Sequence, residues 1–95
     1  MKSGKQAAME SGKAAILDHW RELLARYGIE TSVVFAWTKD DQKGQWTLTT
    51  RCGKLRYDIE FQARDVASWT TKPEVAGTYY SVFLNTIDFL KQDCH

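Results

Sequence analysis

QWTLTTRCGKLRYDIEF, residues 45–61, alternates apolar and polar side chains on both sides of one glycine. Successive side chains of a strand point to opposite faces, so period-two alternation marks a half-buried strand. Trp46 and Leu48 share a face with Leu55, Tyr57, Ile59 and Phe61. Thr47, Thr49, Arg51, Lys54, Arg56, Asp58 and Glu60 take the other. Between the two runs, Cys52-Gly53 has the composition of a two-residue primed turn with glycine second. The stretch reads as a hairpin with one greasy face and one wet face.

Upstream, SVVFAWT (residues 32–38) is rich in β-branched and aromatic residues, as strands are. The loop KDDQKG joins it to the hairpin, giving a three-stranded antiparallel meander. Val33, Phe35 and Trp37 extend the apolar face; Val34, Ala36 and Thr38 extend the polar one. An apolar sheet face must be covered, and two helical patterns flank the sheet. In the first, Met9, Ile16, Leu17, Trp20, Leu23, Leu24 and Tyr27 form a stripe at helical spacing, and Gly28 ends it as a C-cap. In the second, Pro73 stands at the first helical position. Its stripe is Val75, Ala76, Tyr79, Val82, Phe83, Ile87 and Leu90, running to about Gln92. QARDVASWTTK, residues 62–72, is ambiguous, with one helical turn possible over Asp65–Trp69. The expected fold is α+β: a three-stranded antiparallel meander packed against two helices on one face, in the order α-β-β-β-α.

Ninety-five residues make a single domain over 1–95. Residues 1–12 read as a frayed arm that becomes firm helix by about Lys13, with Ser3 and Gln6 fitting a capping box. The octet SGKQAAME is echoed by SGKAAILD, a repeat short enough to be chance. Thirteen basic residues against twelve acidic leave a net charge of +1, which counts against a general nucleic-acid binder because phosphate neutralisation supplies most of that affinity. No apolar run approaches a membrane span. The N-terminus lacks the apolar core of a signal peptide. A cytoplasmic, reducing setting is expected, with a Cys52–Cys94 disulfide left open.

Chemistry-bearing residues are sparse. His19, Cys52, Cys94 and His95 lack any zinc-ligand spacing. Cys52 has no base placed near it by any signal, so a turn residue is the better reading. Asp40-Asp41 suits turn support, and Asp58 with Glu60 suits a solvated sheet face. Gly44 and Gly53 form no phosphate-cradling loop. No metal, no cofactor and no enzymatic activity are expected.

Two surfaces remain. Thr47, Thr49, Arg51, Lys54 and Arg56 cluster on the wet face, where threonine beside arginine and lysine can hold anions; an ordinary solvated face is the competing reading. On the last helix Tyr80, Leu84 and Phe89 point away from the core stripe. Tyr80 and Leu84, one turn apart, would form an apolar patch of the kind that marks interfaces, unless residues 62–72 or the N-terminal arm cover it. The leading expectation is a protein-binding module that occupies a partner's surface as inhibitor or adaptor. Small neutral domains without catalytic motifs are frequent among phage and mobile-element accessory proteins, anti-defence proteins included, an association of composition alone. A homodimer through the last helix is a second expectation. A nucleic-acid-binding module using the wet sheet face is the alternative.

The α-β-β-β-α order resembles that of the double-stranded RNA-binding domain. In that family the last helix opens with a lysine-rich, phosphate-contacting segment. Here that position reads Pro73, Glu74, Val75, Ala76 and Gly77. The resemblance therefore covers element order and implies no RNA binding.

Overall fold

The computed structural model describes residues 4–29 and 33–93. Along the chain run α1 (Gly4–Arg26), β1 (Val33–Asp40), β2 (Gln45–Cys52), β3 (Leu55–Gln62), α2 (Ala63–Ser68) and α3 (Pro73–Asp93). The strands form one antiparallel sheet in the order β1-β2-β3, and the helices pack on one of its faces. This is the expected α+β architecture with one added short helix. Ser3, Cys94 and His95, and the expectations attached to them, lie outside the described residues.

Cys52 pairs with Leu55, so the β2–β3 loop is Gly53-Lys54 and not Cys52-Gly53. Gly53, at φ 61, leads the turn, as a primed turn with leading glycine requires. Cys52 is displaced from the turn because it is apolar and buried on the inner face. It is disulfide-bonded. The first hairpin is longer: Asp40 pairs with Gln45. Asp40 Oδ1 accepts the backbone N–H groups of Gln42 and Lys43 at 3.1 and 3.2 Å, and Gly44 takes φ 61.

Sheet pairing sets Val33, Phe35 and Trp37 beside Cys52, Thr50 and Leu48. These in turn sit beside Leu55, Tyr57 and Ile59. Over this inner face α1 follows β2, with Lys13 Nζ 4.0 Å from the Trp46 ring centre and Trp20 Nε1 donating to Thr50 Oγ1 at 2.9 Å. That bond satisfies both members of a buried polar pair, which would each cost about 1–3 kcal/mol unpaired. Trp46 Nε1, by contrast, is buried with no partner among the described residues.

α3 follows β3 in the opposite sense, from Tyr79 at Gln62 to Phe89 stacked on Tyr57 at 6.0 Å. Phe61 and Phe83, both fully buried, link the layers through ring contacts with Trp69, Tyr79 and Trp20. Each contributes about 1.5–3 kcal/mol by burial alone. Of the residues expected to meet in the core, Trp20, Ile59, Tyr79 and Phe83 are buried, while Phe35, Trp46 and Tyr57 are half-buried against it.

Helix faces differ from expectation at their margins. Tyr27 and Val82 are 39% and 40% exposed. Tyr27 lies past the last residue of α1, under Lys91, and Val82 lies on the flank of α3. Thr86 takes the core position instead, its hydroxyl donating to Val82 O at 2.8 Å. Gly28 ends α1 at φ 74, with Gly28 N–H bonded to Ala25 O and Ile29 N–H to Leu24 O, the paired pattern of a Schellman cap.

α1 starts at Gly4, well ahead of Lys13, and meets α2 at Gly12. A Cβ on Gly12 would lie 1.7 Å from Val66 O, so the two backbones touch where only glycine fits. Gly12→Ala gains about 1 kcal/mol of helix propensity but forces the helices apart, and a net loss of about 1–3 kcal/mol is expected. A urea midpoint equal to or above wild type would show that α1 and α2 do not meet this way.

Tyr79 ties α3 to the end of β3. Its hydroxyl donates to Asp65 Oδ2 and accepts the Gln62 N–H. Burial first, and the Asp65 hydrogen bond second, push its pKa up to about 12. The unfolded tyrosine ionises near 10, so the stabilisation is complete below that pH and is lost as pH rises from about 10 to about 12. The loss should approach about 2–3 kcal/mol. Stability measured against pH should fall more steeply in this window for wild type than for Tyr79→Phe; parallel curves would contradict the assignment.

Candidate binding surfaces

The outer sheet face carries no helix. Four cross-strand rows run over it: Val34, Arg51 and Arg56; Ala36, Thr49 and Asp58; Thr38, Thr47 and Glu60; Asp40, Gln45 and Gln62. The expected cluster of Thr47, Thr49, Arg51 and Arg56 is thus assembled on neighbouring strands. Lys54 stands apart in the turn.

The second row is internally satisfied. Thr49 Oγ1 donates to Asp58 Oδ1 at 2.7 Å. Arg56 clasps the same carboxylate with Nε to Oδ1 and Nη2 to Oδ2, both at 3.2 Å. This two-point geometry is the favourable one for arginine and carboxylate. The hydrogen bonds from Arg56 and then Thr49 hold the Asp58 carboxyl below the usual carboxylate range, with Arg51 adding a smaller favourable charge. Thr49 is buried at 6% exposure although it points outward, because its β1 and β3 neighbours close over it. It offers its hydroxyl to Asp58 and little to a ligand.

The first row is different. Arg51 is exposed and makes no ion pair among the described residues. It sits directly opposite Arg56, a like-charge pairing that disfavours the sheet by itself and is relieved because Asp58 neutralises Arg56. Beside it Val34 is 67% exposed. These side chains rim a shallow depression of about 360 Å3 floored by Ala36 and Thr49.

The other expected surface is divided. With Val75 as zero and about 100° per residue, the buried positions of α3 centre near 50°. Tyr80 at about 140° and Leu84 at about 180° lie on one flank, while Val82 at about 340° and Phe89 at about 320° lie on the other. Tyr80 is 49% and Phe89 56% exposed, whereas Leu84 is half-buried. Phe89 leans on Tyr57. Tyr80 thus has half-buried Leu84 beside it on one flank, and Phe89 stands with exposed Val82 on the other.

Val34 and its strand were not among the expected binding residues. The signal was present in SVVFAWT: adjacent valines break the alternation, and no charge appears before Lys39. Among the described residues no group of three or more His, Cys, Asp or Glu could hold a metal ion, and no helix is long and apolar enough to cross a membrane. Asp40 and Asp41 serve the hairpin, the second in an ion pair with Lys39 at 3.1 Å.

No protein-family model, curated protein or solved structure matches the chain.

Because the Asp58 carboxyl titrates below its ordinary value in the folded chain, its contribution is present above about pH 4 and is lost as pH falls through the depressed folded value. The group is partly exposed, so the effect is small. Asp58→Asn should flatten the acid limb of a thermal-stability curve below pH 4 relative to wild type. An unchanged acid limb would show that the Arg56–Asp58–Thr49 cluster contributes nothing in solution.

Proposed function

We propose that this chain is a non-enzymatic protein-binding module whose partner docks on the outer sheet face. The supporting observation is Val34, a two-thirds exposed aliphatic side chain beside an arginine that makes no ion pair among the described residues, on a face that none of the described helices covers. A flat surface mixing one apolar contact, threonine hydroxyls and an exposed guanidinium has the composition of a protein interface, in which arginine is enriched. Occupying a partner's surface with it would make the protein an inhibitor or adaptor, the role associated with small phage and mobile-element proteins.

A nucleic-acid partner is the second reading, favoured by the adjacency of Arg51 and Arg56. It is weakened by Asp58, which neutralises Arg56, and by Glu60 on the same face. For location, the composition favours the cytoplasm, while the bonded state of Cys52 favours an oxidising compartment.

Affinity capture with wild type and with Val34→Glu/Arg51→Glu, followed by quantitative proteomics, tests the reading. A protein held by wild type should be depleted at least about 10-fold by the variant, as expected for losing interface contacts worth about 1.4 kcal/mol or more. Equal recovery by both proteins would move the interface elsewhere. A gel shift at low salt that is abolished by Arg51→Glu/Arg56→Glu would instead favour the nucleic-acid reading.

A further inference from the structure

Backbone pairing in this sheet follows from the β2–β3 turn. In a two-residue hairpin the flanking residues exchange both backbone hydrogen bonds, so Cys52 and Leu55 are a bonded pair, and bonded pairs recur at every second position. Two bonds at the far end carry the same parity. Ala63 N–H reaches Gly44 O at 2.9 Å, continuing the ladder by one bonded step. Gln62 N–H points away from β2 and is taken by Tyr79 Oη at 3.1 Å. In β2 the even-numbered residues thus bond β3, and Gln45, Thr47, Thr49 and Arg51 bond β1.

Their partners on β1 are Asp40, Thr38, Ala36 and Val34. The backbone N–H and C=O groups of Val33, Phe35, Trp37 and Lys39 therefore point out of the open edge. No backbone bond reaches these groups among the described residues. The side chains on either side of this edge are apolar or neutral up to Lys39, without the inward charge, proline or bulge that commonly blunts an edge strand.

We propose that β1 pairs with β1 of a second copy, antiparallel about Ala36, to form a continuous six-stranded sheet. In this register Phe35 faces Trp37, and Val33 faces Lys39, in both directions. All four outward-pointing residues of each copy then find a bonded partner among the same four of the other. A shift by two residues either way leaves some of them unpaired. The pleat also matches: Phe35 and Trp37, half-buried on the inner face, meet as aromatic pairs. On the outer face Thr38 of one copy stands opposite Val34 of the other. No like charges oppose one another, since Lys39 meets Val33. The helices do not collide, because the two β2 strands lie three inter-strand spacings apart, about 14 Å, whereas packed helices need about 8–10 Å. This surface is separate from Tyr80 and Leu84, and the pairing does not depend on the partner-binding reading.

Sedimentation of the full chain, without any partner, tests the pairing. Wild type should sediment as a dimer at about 100 μM, within the micromolar range usual for small contacts. Ala36 is exposed in the single chain, so Ala36→Lys and Ala36→Glu should each keep the circular dichroism spectrum. Like charges on the two-fold axis at about 5 Å should raise the dissociation constant about 100-fold, giving monomers. An equimolar mixture of the two variants should restore the dimer. Tyr80→Glu should remain dimeric. A monomeric wild type, a dimeric Ala36→Lys, or a mixture of folded variants that stays monomeric would each overturn the proposal.

Discussion

Gly53 turns the chain at φ 61, and the two-residue loop that it leads sets Cys52 against Leu55. A one-residue slip would move every side chain of a strand to the opposite face. With this register the inner face receives Trp46, Leu48, Ile59 and Phe61, and the outer face receives Thr49, Arg51, Arg56 and Asp58. The same register fixes which backbone groups point into the sheet and which point out of it. Gln62 can meet Tyr79 only because its N–H is turned away from β2. Core, wet face and open edge are thus three consequences of one turn.

A second constraint is the number of helices. Two long helices cover the inner face, and each follows a strand: α1 follows β2 through Trp20 and Thr50, and α3 follows β3 through Tyr79 and Phe89. α2 serves as a wedge between them, with Val66 O pressed against Gly12. β1 has no helix of its own. Its inner side chains stay half-buried against the core, with Arg21 over Phe35 at 5.4 Å and the Trp37 ring against Trp46 and Phe61 at 6.2 and 5.8 Å. The openness of β1 follows from a shortage of cover and needs no special sequence.

Much of this was legible in residues 45–61, where strict alternation assigned both faces of β2 and β3. The turn was misplaced by one residue because Cys52 has the look of a turn residue, whereas its small apolar side chain is buried opposite Leu55. α2 was obscure because six residues with one buried side chain, Val66, carry too little periodicity to read. Tyr27 and Val82 were overassigned to the core because a hydrophobic residue near a stripe looks the same whether or not something packs on it. Thr49 reads in the sequence as one of the wet-face binding residues, although flanking strands bury it and Asp58 takes its hydroxyl. The binding surfaces were the least legible part. Which strand ends at an edge, and which helix flank is left uncovered, are properties of the assembled layers and not of any local stretch.

The two edges of the sheet are unlike. On β3 the row Arg56, Asp58 and Glu60 sets charge along the rim, and the Tyr79 hydroxyl occupies the last outward N–H. On β1 nothing comparable stands in the way. A sheet with one apolar rim and one charged, partly occupied rim is unequally receptive to an added strand. The Tyr79 hydroxyl takes one hydrogen-bonding site from the β3 rim, and each site so occupied makes a rim a poorer template for edge-to-edge growth.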